Sequence, residues 1–133
     1  MSTILSVDDE LNPLILRKML LEKAGYRVLS ASSGAEALRI LEFETPDLVL
    51  TDHVMQGMTG AQLALEIKER YPEMPVIIIS GLNEIPRGAE AADLFVNKLE
   101  GASKLLTCIA LILQCAEIAR DELPSTPRST DPV

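Results

Sequence analysis

Acidic residues close short apolar runs in this chain more than once. Asp8, Asp9 and Glu10 follow Thr3-Ile4-Leu5-Ser6-Val7, and Asp52 follows Leu48-Val49-Leu50-Thr51. Ser80 ends the run that begins at Val76, and Asn97 and Lys98 follow Leu94-Phe95-Val96. If these runs are neighbouring parallel strands, their carboxyl ends share one edge of a sheet, where open α/β sheets collect reactive groups. Carboxylates gathered within a few ångströms repel one another, so some protonate or a cation sits among them. Oxygen-only ligands favour a hard ion, and Mg2+ suits a site with few carboxylates and room for water and a phosphate. A carboxylate beside Mg2+ and a Lys can attack phosphorus while the cations neutralise the equatorial oxygens, which gives an aspartyl phosphate.

The elements that must position these groups follow from patterning. The runs Thr3-Val7, Arg27-Ala31, Leu48-Thr51, Val76-Ser80 and Leu94-Val96 are nearly continuous in apolar residues, as strands buried on both faces of a parallel sheet are. Asn12 before Pro13 predicts a capped helix start, with Gly25 ending that helix. Ser33 with Glu36 and Thr59 with Gln62 have capping-box spacing, so helices start near residues 34 and 60 and end before Pro46 and Pro72. A last helix runs from about Ala102, with Gly101 as cap, to about Asp121. Pro86 and Gly88 interrupt the connection between the fourth and fifth strands, so a short or irregular element is expected over residues 82–90. Strands alternating with helices predict an α/β layered domain over residues 1–121. Residues 122–133, rich in Pro, Ser and Thr, are expected to form a disordered tail.

Composition removes other classes. The chain has 133 residues, 47% of them apolar, which suits one core. A net charge of -8 leaves no cationic face for a phosphodiester backbone, and 3% aromatic residues give no stacking platform. Direct nucleic-acid binding is not expected. No basic leader precedes Asp8, and the longest unbroken apolar run, Cys108 to Leu113, is far short of the roughly 20 residues that span a bilayer. Cys108 and Cys115 are two helical turns apart, a rise of roughly 10 Å, too far for a disulfide. These features predict a protein without membrane segments in a reducing cytoplasm.

Taken together the motifs resemble the receiver domains of two-component response regulators, of the chemotaxis-regulator-like kind, over about residues 3–120. Val7-Asp8-Asp9-Glu10 is similar to the family's acidic pair, Pro46-Asp47-Leu48-Val49-Leu50-Thr51-Asp52 to its phosphoacceptor strand, and Gly57-Met58-Thr59-Gly60 to the loop after it. The resemblance implies a doubly wound five-stranded parallel sheet in the order 2-1-3-4-5 with helices on both faces. It makes Asp52 the phosphoacceptor, with Mg2+ held by Asp9, Asp52 and the backbone carbonyl of Val54, and by Asp8 through water. Ser80 would donate to a phosphoryl oxygen, Lys98 would pair with Asp52 or the phosphoryl group, and Phe95 would be the switch aromatic. The implied partners are a sensor histidine kinase or phosphotransfer protein and a downstream protein target.

The chain departs from the pattern in places. Leu99 follows Lys98 where the family has Pro in a cis bond; a non-proline cis bond costs about 2.5–4 kcal/mol, so a trans bond and an altered path into the last helix are expected. Gln56 replaces a Pro, and the distance from Ser80 to Lys98 is short, which removes part of a helix used for output in many receivers. The two positions that tune hydrolysis in the family are Val54 and Leu82, neither able to orient water, which predicts slow self-dephosphorylation.

Two alternatives stay in view: a degenerate receiver acting by protein contacts without phosphorylation, and a Mg2+-dependent phosphatase, which would want a second acid where Val54 stands. His53 should point away from Asp52 by strand alternation, and Met55 and Met58 should fill gaps. In the last helix Leu105, Leu106, Ile109, Ile112, Leu113 and Ala116 form a core stripe, while Cys108, Leu111, Cys115 and Ile118 form a second, which residues 82–90, the tail, a partner or self-association would cover.

Overall fold

Apolar runs bounded by helix caps build the sheet in the computed structural model, which describes residues 1–81 and 88–122. The strands are β1 (Thr3–Val7), β2 (Arg27–Ala31), β3 (Leu48–Asp52), β4 (Val76–Ser80) and β5 (Leu94–Asn97). All neighbours pair in parallel, in the order β2-β1-β3-β4-β5. The order and the parallel direction of pairing are those expected. β3 and β4 are buried along their whole length, which their continuous apolar sequences require of strands covered on both faces.

The helices are α1 (Leu11–Lys23), α2 (Gly34–Leu41), α3 (Gly60–Arg70) and α4 (Gly101–Glu122). At α3 the Thr59 hydroxyl accepts from the Gln62 amide while the Gln62 side chain accepts from the Thr59 amide, a complete capping box. At α2 the Ser33 hydroxyl accepts from Glu36, but the Glu36 carboxylate reaches one residue further back, to the amide and hydroxyl of Ser32. The start of α1 differs from expectation: the cap is Glu10, without a side-chain bond, and Asn12 and Pro13 lie inside the first turn. Pro13 is tolerated there because amides of the first turn have no intrahelical acceptor. Gly25 has φ of 100°, the left-handed conformation expected after α1.

Two cores flank the sheet. On one face α2 and α3 cover Leu5, Val7, Val49, Val76 and Ile78; on the other, α1 and α4 cover Ile4, Leu48, Leu50, Ile77 and Ile79. Met55 is buried in the first core and Met58 packs against it, as expected of gap-filling residues. In α4 the buried stripe is Leu105, Cys108 and Ile109, with Leu106, Ile112 and Leu113 partly buried beside it. Cys108 therefore belongs to the core stripe and not to the outer one, since it precedes Ile109 and follows Leu105 by three. Leu111, Cys115 and Ile118 are exposed. Both cysteines are free.

By length and composition the stretch Lys98–Ala119 is apolar enough to cross a membrane, which its longest unbroken run does not reveal. In this fold it packs Leu105, Cys108 and Ile109 against the sheet. Between β4 and β5 the described part of the connection is a single 3₁₀ turn, Ala89–Ala91. Of the tail expected over residues 122–133, Glu122 instead ends α4, and residues 123–133, like Leu82 to Arg87, lie outside the described residues.

Candidate functional site

Register sets the acids side by side. Val7 pairs with Thr51, so Asp8 and Asp52 occupy the next positions of adjacent strands. Alternation along β1 and β3 turns both to the face covered by α1 and α4, together with Ser6 and Leu50. Asp8 is 1% and Asp52 4% exposed. The Lys98 ammonium lies 2.6 Å from Oδ1 of Asp52. Burial pushes the Asp52 carboxyl above the ordinary range; the hydrogen bond and charge of Lys98 pull it back, the charge of Asp8 raises it further, and that of Arg17 lowers it.

The other acids are engaged locally. Oδ1 of Asp8 accepts from the Glu10 amide at 2.9 Å, and its Oδ2 faces Nη2 of Arg17 at 3.3 Å. Oδ2 of Asp9 accepts from the Gln56 amide at 2.9 Å, which ties the loop after β1 to the loop after β3. Val54 is exposed in that second loop. Among the described residues no three acidic, His or Cys side chains are gathered, as they stand, to hold a metal ion. The donor chemistry nevertheless fits a hard divalent cation: carboxylate oxygens, two of the groups buried, with desolvation opposing the charge on Asp52.

Ser80 is buried on the opposite, α2–α3 face, in register with Asn97. Phe95, two residues before Asn97, packs against the core of that same face, so Ser80 and Phe95 lie diagonally across adjacent strands. All peptide bonds among the described residues are trans, including that after Lys98. The chain instead makes a 3₁₀ turn, Lys98–Glu100, in which Asn97 Oδ1 accepts from the Leu99 amide at 2.8 Å. This is the altered path into the last helix. Nδ1 of His53 accepts from the Ala61 amide at 3.3 Å, a structural role at the start of α3. A larger cleft of about 760 Å³ lies at the other end of the sheet, by Pro46, Tyr71 and Ala116, away from the acids.

Arg17 is the site residue that the sequence reading missed. It stands three residues after buried Leu14 and four before buried Leu21 in α1, a basic residue in an apolar stripe, and that spacing was the available signal.

An open parallel sheet in this order, with a buried, lysine-paired carboxylate at the carboxyl end of its central strand, defines a doubly wound α/β domain of the chemotaxis-regulator-like class. The family model of the response regulator receiver domain matches residues 4–110, and the chain belongs to that family, the receivers of two-component signal transduction. It is 44% identical over 88 residues to the transcriptional regulatory protein GlrR of Escherichia coli (strain K12), a match covering 66% of this chain and 20% of that protein. It is 35% identical over 91 residues to sporulation initiation phosphotransferase F of Bacillus subtilis (strain 168), covering 68% of this chain and 73% of that one. The match thus spans about a fifth of GlrR's length. Among solved structures it is similar to the response regulator TrrA of Thermotoga maritima in complex with Mg2+-BeF, with 31% identity, a TM-score of 0.79, and coverage of 83% of this chain and 97% of that one. TrrA has also been solved in complex with the histidine kinase ThkA.

Proposed function

We propose that the domain is a phosphoacceptor switch, taking a phosphoryl group from a phosphohistidine donor onto Asp52 and signalling through a change of surface. The observation that carries this reading is the buried Asp52 carboxylate with the Lys98 ammonium at 2.6 Å. A carboxylate oxygen of Asp52 attacks phosphorus, the bond from phosphorus to the donor's leaving nitrogen breaks, and the electron pair departs with that nitrogen. Lys98 is placed to neutralise charge on the transferring group. Asp9, Asp52 and the Val54 carbonyl, with Asp8 through water, would hold Mg2+, which supplies further neutralisation of the equatorial oxygens. The Ser80 hydroxyl donates to a phosphoryl oxygen, and Phe95, on the same face, follows its movement to alter the surface read by a downstream protein.

The kind of donor is supported by the edge itself. Leu11, Ile15, Leu16 and Met19 are exposed along α1, which begins just after Asp9, and Val54 is exposed in the neighbouring loop. An apolar surface beside the acids suits a protein donor, a sensor histidine kinase or phosphotransfer protein. The domain is a switch with no turnover of an external substrate, working in the cytoplasm; the receiver extends over residues 1–121.

The test is to incubate the chain with Mg2+ and a small phosphodonor and weigh it intact, with Asp52→Asn as control. A stable added phosphoryl group that needs Asp52 is expected. No addition would leave a degenerate receiver acting through contacts alone, and rapid release would point to a phosphatase. Slow loss is expected because exposed Val54 cannot orient a water; decay within seconds at neutral pH would overturn that part.

A further inference from the structure

The stripe of α1 that packs on the sheet contains Leu14 and Leu21, both buried, with Arg17 between them. The Arg17 side chain is 9% exposed. A guanidinium in such a place must be paired, because an isolated buried charge is strongly opposed by desolvation. Its one pairing among the described residues is incomplete. Nη2 reaches Asp8 Oδ2 at 3.3 Å, longer than the roughly 2.7–2.9 Å of a strong charge-assisted bond, and it does so singly, not as a fork. Nη1 is buried with no hydrogen-bond partner among the described residues, as is the hydroxyl of Ser6 on the same face of the sheet.

The acids are meanwhile committed to the protein. Asp8 uses one oxygen for the Glu10 amide and the other for Arg17, Asp9 holds the Gln56 amide, and Asp52 holds Lys98. Three carboxylates therefore face two fixed cations. A divalent ion entering this group meets a positive charge already lodged against Asp8, and the water through which Asp8 would reach the ion competes for the oxygen that charge occupies. Room for Arg17 to move exists in a cleft of about 160 Å³ that it lines with Lys98 and the start of α4 at Gly101 and Ala102.

We propose that Arg17 is a resident counter-ion of the acid site, and that it must let go of Asp8 before the carboxylates can take up a divalent cation. This rests on reading Asp8, Asp9 and Asp52 as the cation-binding group. Arg17 is then a positioning residue: it holds Asp8 and keeps the uncharged-by-metal site intact, and it raises the cation concentration needed for loading. A loose, half-satisfied pair suits that part, since it is readily exchanged for tighter metal coordination.

The experiment is calorimetric titration of MgCl2 into the full chain, its fold checked by circular dichroism. Arg17→Met keeps the unbranched stem of the side chain and removes the charged head, and it is expected to bind Mg2+ about tenfold more tightly than the parent. Arg17→Lys keeps the charge and is expected to stay within about twofold. Unchanged or weaker binding by Arg17→Met overturns the proposal, as does equal tightening by Arg17→Lys, which would show that charge is irrelevant. If Arg17→Met does not fold, Arg17→Gln replaces it with the same expectation. Asp52→Asn separates the two levels of inference: loss of Mg2+ binding upholds the site reading while Arg17 is judged on its own variants, whereas parental binding by Asp52→Asn shows that the site itself was misread.

Discussion

The two faces of the sheet solve the same covering problem differently. On the α2–α3 face, both helices are short, side-chain capped and buried along one stripe, and the loop before α3 approaches β3 so closely that only Gly60 fits. On the α1–α4 face, α1 has no side-chain cap, both helices carry apolar residues that nothing described covers, and a guanidinium sits in the core stripe. The first face is a closely packed core that also carries Ser80 and Phe95. The second holds the buried acids and carries most of the exposed apolar residues, Leu11, Ile15, Leu16 and Met19 on α1 and Leu111 and Ile118 on α4, against Leu65 on α3. A packing core has no use for the loose pair of Arg17 and Asp8, whereas a site that changes its charge needs a pair that can be exchanged.

The comparison breaks first inside α4. Ile109 is fully buried against the sheet and Ile118 is exposed. Ile109→Ala is expected to lower stability by about 3 kcal/mol and Ile118→Ala by less than about 0.5 kcal/mol in urea unfolding. A similar loss at both positions would mean that the outer stripe is covered after all. On the opposite face, a Cβ at Gly60 would come within 2.5 Å of the Asp52 carbonyl oxygen and 2.8 Å of the His53 Cα. Backbone there cannot yield cheaply, so Gly60→Ala is expected to cost about 2 kcal/mol and to disturb the strand end that bears Asp52. Smaller again is the effect of the caps. Thr59→Ala removes the hydroxyl that closes the box at α3 and is expected to cost about 1 kcal/mol, while Glu10→Ala at α1, which removes no capping bond, is expected to change stability by less than about 0.5 kcal/mol.

What the sequence disclosed, and what it withheld, divides along the same line. Strands β1, β2 and β4 were legible to the residue because their runs end at polar groups that also end the pairing, and α2 and α3 because Ser33 and Thr59 announce their own starts. The start of α1 was misread because Asn12 and Pro13 look like a cap locally, yet the Asp8 carboxylate takes the Glu10 amide and the helix begins at Leu11. The pairing of Lys98 with Asp52 was implied by resemblance and is present at 2.6 Å. The spacing of Arg17 in the apolar stripe was there to be read, but its pairing with Asp8 was not, since that partner lies across a loop and the contact exists only once α1 has folded onto the sheet. Cys108, by contrast, had its signal in the spacing to Leu105 and Ile109, which places it on the buried stripe and not on the outer one.

Two carboxylates carry the contrast into pH dependence. Glu36, on the α2 side, has its carboxyl held below the ordinary range, first by the Ser32 amide and then by the Ser32 hydroxyl and Arg39. The folded state therefore favours its ionised form, and the stability this gives is present above the unfolded-state value and lost as pH falls through the folded one. Asp52 has the opposite sign. Burial favours its neutral form, so the folded state binds the proton more tightly than the unfolded chain, and its contribution is present at low pH and lost as pH rises through its raised folded value. Urea unfolding across the acid range, in chelator to keep divalent ions away, should separate them. Glu36→Gln is expected to lose part of the stability that the parent gains on going from acid to neutral pH, whereas Asp52→Asn should gain more than the parent over that span, because it no longer ionises a desolvated group. Should both variants shift the profile the same way, the acid site would be no more desolvated than the surface of α2, and the physical basis for a cation among Asp8, Asp9 and Asp52 would go with it.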